Sequence, residues 1–183
     1  MKLRFYIYLS FIIFTTSCSE KKSVKNHTEN KSISNISNKI SVKRNFSSIS
    51  KPDYFELELN GISYTDAMLK FSVLNDKRDT LFFYSTPIDS IIDLDKKNEE
   101  IYRTKTLELM STFFAETNFS CPPYTINDPT KNNFPGDTIV WNEVKSDSTR
   151  WCFEFSLNKN INKLITYSNT RESVVIYDYT KQD

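Results

Sequence analysis

Between Lys51 and the end of the chain, apolar and polar residues alternate in short runs separated by polar clusters, the period-two signature of half-buried β-strands. Tyr54 to Leu59 alternates and is followed by Asn60-Gly61, a turn signal. Leu69, Phe71 and Val73 share one face of a second run, with Lys70 and Ser72 on the other. The polar stretch from Asn75 to Asp79 then links this run to a hairpin partner, Thr80 to Tyr84. Pro135-Gly136 is expected to open a strand over Thr138 to Trp141. The clearest alternation puts Trp151, Phe153, Phe155 and Leu157 on one face and Cys152, Glu154 and Ser156 on the other, and Ser173 to Tyr179 forms a last run. Residues 96–114 carry both signals: Leu107, Met110 and Phe114 have helical spacing, whereas Thr104, Thr106 and Glu108 continue a polar alternation. About seven strands without alternating helices predict an all-β, antiparallel β-sandwich with room for one short inserted helix.

The N-terminus follows a different rule. Met1 to Arg4 supplies positive charge, Phe5 to Phe14 is almost wholly apolar, and Thr15 to Ser17 brings small residues up to Cys18, the three-part layout of a secretory signal. The apolar run is shorter than the roughly 20 residues that span a bilayer. Phe14-Thr-Thr-Ser-Cys18 resembles a bacterial lipoprotein signal, although Thr15 stands where that family usually has Leu. The resemblance implies cleavage before Cys18 and lipid modification of that cysteine, with chains such as palmitate. Ser19-Glu20 is similar to the acidic surface-export signal of Bacteroidota-type lipoproteins, with Lys21-Lys22 interrupting the acidic run. The implied location is the bacterial cell envelope, lipid-anchored at an outer membrane on its periplasmic or surface face.

Residues 21–50 are rich in Ser, Asn and Lys, and their isolated Ile and Val show no sustained period, so this segment is expected to be a flexible tether. A coil of about 30 residues reaches roughly 30 Å. The expected organisation is therefore a signal peptide over 1–17, a lipidated tether over 18–50 and a β-sandwich over 51–183. The four N-x-S/T sequons of the tether, at Asn26, Asn30, Asn35 and Asn45, follow from its composition.

Charge and composition exclude several function classes. The formal net charge is +1, yet residues 51–183 hold 15 basic and 21 acidic side chains while residues 18–50 hold seven and two. A net of −6 on the folded part argues against nucleic acid, whose phosphates call for a basic face. Only Gly61 and Gly136 occur, too few for a phosphate-cradling loop. The one histidine, His27, lies in the tether, which removes a histidine-based zinc site or Ser-His-Asp triad from the folded part of a single chain. No metal and no cofactor are expected.

The run order, carried by Leu69 to Asn75, Thr80 to Phe83, Pro135 to Thr138 and the aromatic strand at 151–157, is similar to the immunoglobulin-like domains of bacterial envelope and accessory proteins, including relatives of the intracellular proteinase inhibitor of bacilli. That resemblance implies a sandwich with a binding or accessory role. With Cys18 acylated, Cys121 and Cys152 remain, and export to an oxidising compartment favours a disulfide between them over two thiols. Closing about 31 residues would contribute roughly 3 to 4 kcal/mol. The stretch from Asp93 to Glu100 departs from a calcium loop, with Lys97 at the fifth position, Asn98 in place of Gly and Thr104 where a bidentate Glu is needed. Glu56 and Glu58 lie on one strand face, where acid/base work is conceivable but solvated charges are the ordinary reading. Among the aromatics, Tyr124 near Cys121 is the candidate for a binding surface. Asp79-Thr-Leu81, Asp89-Ser-Ile91 and Asp137-Thr-Ile139 resemble the loose O-glycosylation tripeptide of Bacteroidota. The expected function is a non-catalytic envelope lipoprotein that binds a protein or glycan partner, with no nucleic acid. The alternatives are an inhibitor or immunity protein against a secreted protease or toxin, and a carboxylate-dependent hydrolase.

Overall fold

A computed structural model describes residues 35–92, 98–120, 138–157 and 161–179, all within the compact unit Ile33–Asp183. The first sheet joins β1 (Ile36–Arg44), β2 (Asp53–Gly61), β3 (Met68–Leu74) and β4 (Thr80–Pro87), and every neighbouring pair is antiparallel. Its inner face is the one the alternation marks: Phe55, Leu57, Leu59, Leu69, Phe71 and Val73 are completely buried. Gly61 ends β2 because the chain returns there at close range. A Cβ built on it would stand 2.6 Å from the Ala67 Cα, so the close approach of the two backbones requires glycine.

A 15-residue helix, α1 (Glu99–Phe113), separates the two sheets in sequence. Asn98 caps it by accepting from the Ile101 N–H at 3.1 Å, and Glu99 and Glu100 face the positive end of the helix dipole. The second sheet consists of β5 (Phe119–Ser120), β6 (Cys152–Ser156), β7 (Asn162–Ser168) and β8 (Ser173–Tyr179), again antiparallel throughout. The sheets meet through phenylalanine: Phe71 packs on Phe153 at 5.3 Å and on Phe155 at 4.9 Å, and Phe55 on Phe153 at 5.4 Å. The end of α1 enters the same core through Phe113, 5.3 Å from Phe71 and 5.5 Å from Phe153. Mostly edge-to-face ring pairs of this kind add to the area they bury. The expected two-sheet, antiparallel architecture is thus present.

Four expectations change. Residues 36–44 are not tether: they form the edge strand β1, with Ile36, Ile40 and Val42 packed against the core. The folded part therefore reaches at least fifteen residues before Lys51. Three cations assigned to the tether are structural. Lys39 bridges Glu56 and Glu58 at 2.7 and 2.8 Å, Lys43 lies over the Tyr54 ring, and Arg44 pairs with Glu116 over the Phe119 ring. Second, the run expected as a strand at 138–141 is the start of a helix, α2 (Thr138–Ser146). Val140, Trp141 and Val144 are buried while Ile139 is exposed, a helical spacing that covers the outer side of the second sheet with Cys152, Leu164, Val175 and Tyr177.

Third, the ambiguous stretch resolves into α1, but its buried residues are Tyr102, Thr106, Met110 and Phe113, whereas Leu107 is exposed. Last, both sheets are plain meanders in chain order. The interleaved ABED/CFG order that defines immunoglobulin topology is absent among the described strands, so that likeness holds only at the level of two stacked antiparallel sheets.

Candidate functional site

At one end of the domain, the β1–β2, α2–β6 and β7–β8 connections surround a cavity of about 370 Å³, within the roughly 300–1,000 Å³ of small-molecule sites. One wall is residues 45–49, and a buried carboxylate shapes it. Asp53, 1% exposed, accepts the N–H groups of Phe46 and Ser47 at 3.0 and 2.6 Å on one oxygen and the Ser47 hydroxyl at 2.8 Å on the other. Phe46 turns inward, 5.2 Å edge-on from Phe55. The Asn45 amide closes the loop on the Ile49 carbonyl at 3.0 Å, which leaves the Ile49 side chain 78% exposed at the rim.

The opposite wall is built on Arg150, the most deeply buried cation among the described residues at 6% exposure. Its Nη2 and Nε donate to Asp147 Oδ2 at 2.7 and 3.2 Å, and its Nη1 donates to the Tyr167 carbonyl and, at 3.4 Å, to Asn169 Oδ1. Asp147 Oδ1 meanwhile accepts the Thr149 hydroxyl and N–H at 2.7 and 3.0 Å. Glu143, on α2, takes the Ser168 hydroxyl and the Asn169 N–H, each at 2.8 Å, and so fastens the helix to the far end of β7.

These bonds set the charge state of the site. The Thr149 hydroxyl, and after it Arg150, hold the Asp147 carboxyl below its usual range against the opposing effect of burial. Burial would push Glu143 up, but hydrogen bonds from Ser168, Thr170 and Asn169 outweigh it and hold that group low as well. Both carboxylates are ionised at neutral pH and are already engaged. The cavity can bind and orient a ligand through amides and hydroxyls, while its two lining charges, Asp147 and Arg150, cancel.

No family model, curated protein or solved structure matches the chain.

The second constellation lies on the outer face of the first sheet. Glu56, 8% exposed, accepts from Lys39 at 2.7 Å and from Arg78 at 2.8 Å. Burial raises its pKa, and the two hydrogen bonds together hold it below the usual glutamate range. Arg78 also stacks on Tyr54, 3.6 Å from the ring centre. Glu56 and Glu58 do share a face, as the strand period requires, and Lys39 joins them. A carboxylate clamped by two cations is a poor proton donor at neutral pH, so the pair reads as an electrostatic tie across β1, β2 and the β3–β4 turn.

Of the other residues marked in the sequence, Cys152 is wholly buried beneath α2. Cys18, His27, Asp93, Asp95, Cys121 and Tyr124 lie outside the described residues. The cavity itself escaped the sequence reading, because its walls come from segments a hundred residues apart. The local hints were Asp147-Ser-Thr149, an Asx-turn pattern, and Phe46 set among Asn and Ser.

Proposed function

We propose that this protein is a non-catalytic, lipid-anchored module of a bacterial cell envelope, acylated at Cys18, whose two-sheet domain binds another envelope component at the cavity between residues 45–49 and 147–150. The observation that carries this reading is the state of the cavity's ionisable groups. Both Asp147 oxygens and four of the five Arg150 donors have partners within the protein, and hydrogen bonds hold Asp147, and Glu143 beside it, in the charged form. General acid catalysis needs a carboxyl whose pKa is pushed up towards the working pH. Prearranged hydroxyls and amides around a preformed recess suit recognition. The N-terminal pattern supports the anchor.

The test joins both parts. The mature N-terminus is isolated from native membranes and its mass measured for wild type and Cys18→Ala. In parallel, a photo-crosslinking residue is placed at the exposed Ile49. The reading expects an acylated Cys18, a variant released from the membrane, and an adduct specific to position 49. An unmodified N-terminus removes the anchor, and absence of an adduct in intact envelopes removes the binding role.

A further inference from the structure

From the way the cavity's charges are used, we infer that it takes a neutral, hydroxyl-rich ligand of saccharide type, an inference that rests on the binding reading above. A buried arginine at the base of a recess ordinarily points to a carboxylate or phosphate, because its planar fork matches their oxygens. Here four of the fork's five N–H donors are engaged, and the fifth is on Nη2, on the side that faces two carboxylates. Nε and Nη2 face Asp147, and Nη1 is shared between the Tyr167 carbonyl and Asn169. Glu143 stands 3.9 Å from Nη2 and adds a second negative charge on that side. An incoming anion would compete with Asp147 for the guanidinium while approaching Glu143, and would lose in like-charge repulsion what it gained there.

What remains for a ligand is the neutral rim. Ser48 and Thr149 each keep hydroxyl lone pairs that can accept beside their bonds to Ser50 and Asp147, and Asn169, whose oxygen accepts from Arg150, keeps a side-chain NH₂ that can donate. Such mixed groups pair with the mixed donors and acceptors of a sugar's hydroxyls. Ile49 adds an exposed apolar edge at the mouth, suited to the C–H face of a pyranose ring. The walls are preorganised by Asp53 and Arg150, so little ordering cost falls on binding. The volume, near the lower end of the range for small-molecule sites, fits one or two rings rather than an extended chain.

The full chain is labelled with ¹⁵N and titrated separately with glucose, with N-acetylglucosamine and with sodium sulfate. At least one neutral sugar should move the amide signals of Ser47, Ser48, Thr149 and Asn169, and sulfate should leave them still. Ser48→Trp, which fills the recess from an exposed loop, should abolish the shifts, and Ser48→Ala should weaken binding by about tenfold, the worth of one hydrogen bond. Signals elsewhere report that both variants are folded. Sulfate shifting these amides would show that Arg150 is available to anions and overturn the proposal. Silence with both sugars would overturn it too, and the Ile49 crosslink then separates the causes: an adduct keeps the binding role and rejects the ligand class, whereas no adduct rejects both.

Discussion

Arg78 shows how one side chain can repay an unfavourable backbone. It lies at φ 72° in the β3–β4 turn, a left-handed conformation that costs a residue with a Cβ roughly 1–2 kcal/mol and glycine almost nothing. The turn is set by Asn75, whose side-chain oxygen accepts the N–H groups of Lys77 and Asp79 at 2.9 and 2.8 Å. From that position the guanidinium reaches both the Tyr54 ring and Glu56. Two substitutions separate the terms. Arg78→Ala keeps the strain and loses the contacts, whereas Arg78→Gly loses both. Chemical denaturation should therefore find the glycine variant more stable than the alanine variant by about 1 kcal/mol. Equal stabilities would mean that the left-handed turn is not kept in solution.

At the scale of elements, β1 is the most instructive strand because its pattern was present and unread. Ile36, Ile40, Val42 and then Phe46 fall on one parity, but the polar Asn38 interrupts them, and the surrounding Ser and Lys match a tether's composition. The structure seats Asn38 facing inward, where its amide meets the Tyr64 hydroxyl at 3.4 Å. A polar residue at a half-buried edge position hides a strand from any reading that counts apolar residues. The hairpin β3–β4 and the aromatic face of β6 were legible because their alternation is unbroken. Thr138 to Trp141 misled for the opposite reason: its residues favour strands, yet Val140, Trp141 and Val144 bury one helical face, and packing overrode propensity. The role of β1 predicts a contrast. Ile40→Asp, on its inner face, should lower stability by about 2 kcal/mol, while Ser37→Asp, on its outer face, should change it by less than about 0.5 kcal/mol. Urea melts of the two variants decide this, since a solvated tether would tolerate both equally.

For the whole molecule, chain order alone makes each sheet a local meander, and the shared phenylalanine-rich core joins the sheets into one body. This is why the cavity was not legible: residues 45–49 and 147–150 become neighbours only when both sheets are stacked. At the surface, carboxylates tie neighbouring segments of each sheet together, and that gives the molecule a directional response to pH. Glu56 ties β1 and β2 to the turn, Asp76 pairs with Lys51 at 2.8 Å, and Glu143 and Asp147 hold α2 and the cavity wall. All four carboxyls are held below their usual range in the folded state. The unfolded chain therefore binds protons first as pH falls, and stability rises with pH through that window. The contribution is complete above the ordinary carboxylate range, about pH 5, and is lost progressively below about pH 4 as the folded-state groups protonate. Lys39, raised by Glu56 and Glu58, acts at the other extreme: its share is present at neutral pH and is lost only in strong alkali. Thermal midpoints should thus be level from neutral pH to about 5 and fall steeply below 4. Asp147→Asn should lower the neutral plateau and flatten the acid slope, because the group that titrates is gone. A midpoint that rose on acidification would show that these carboxylates are not tied in the folded protein as described.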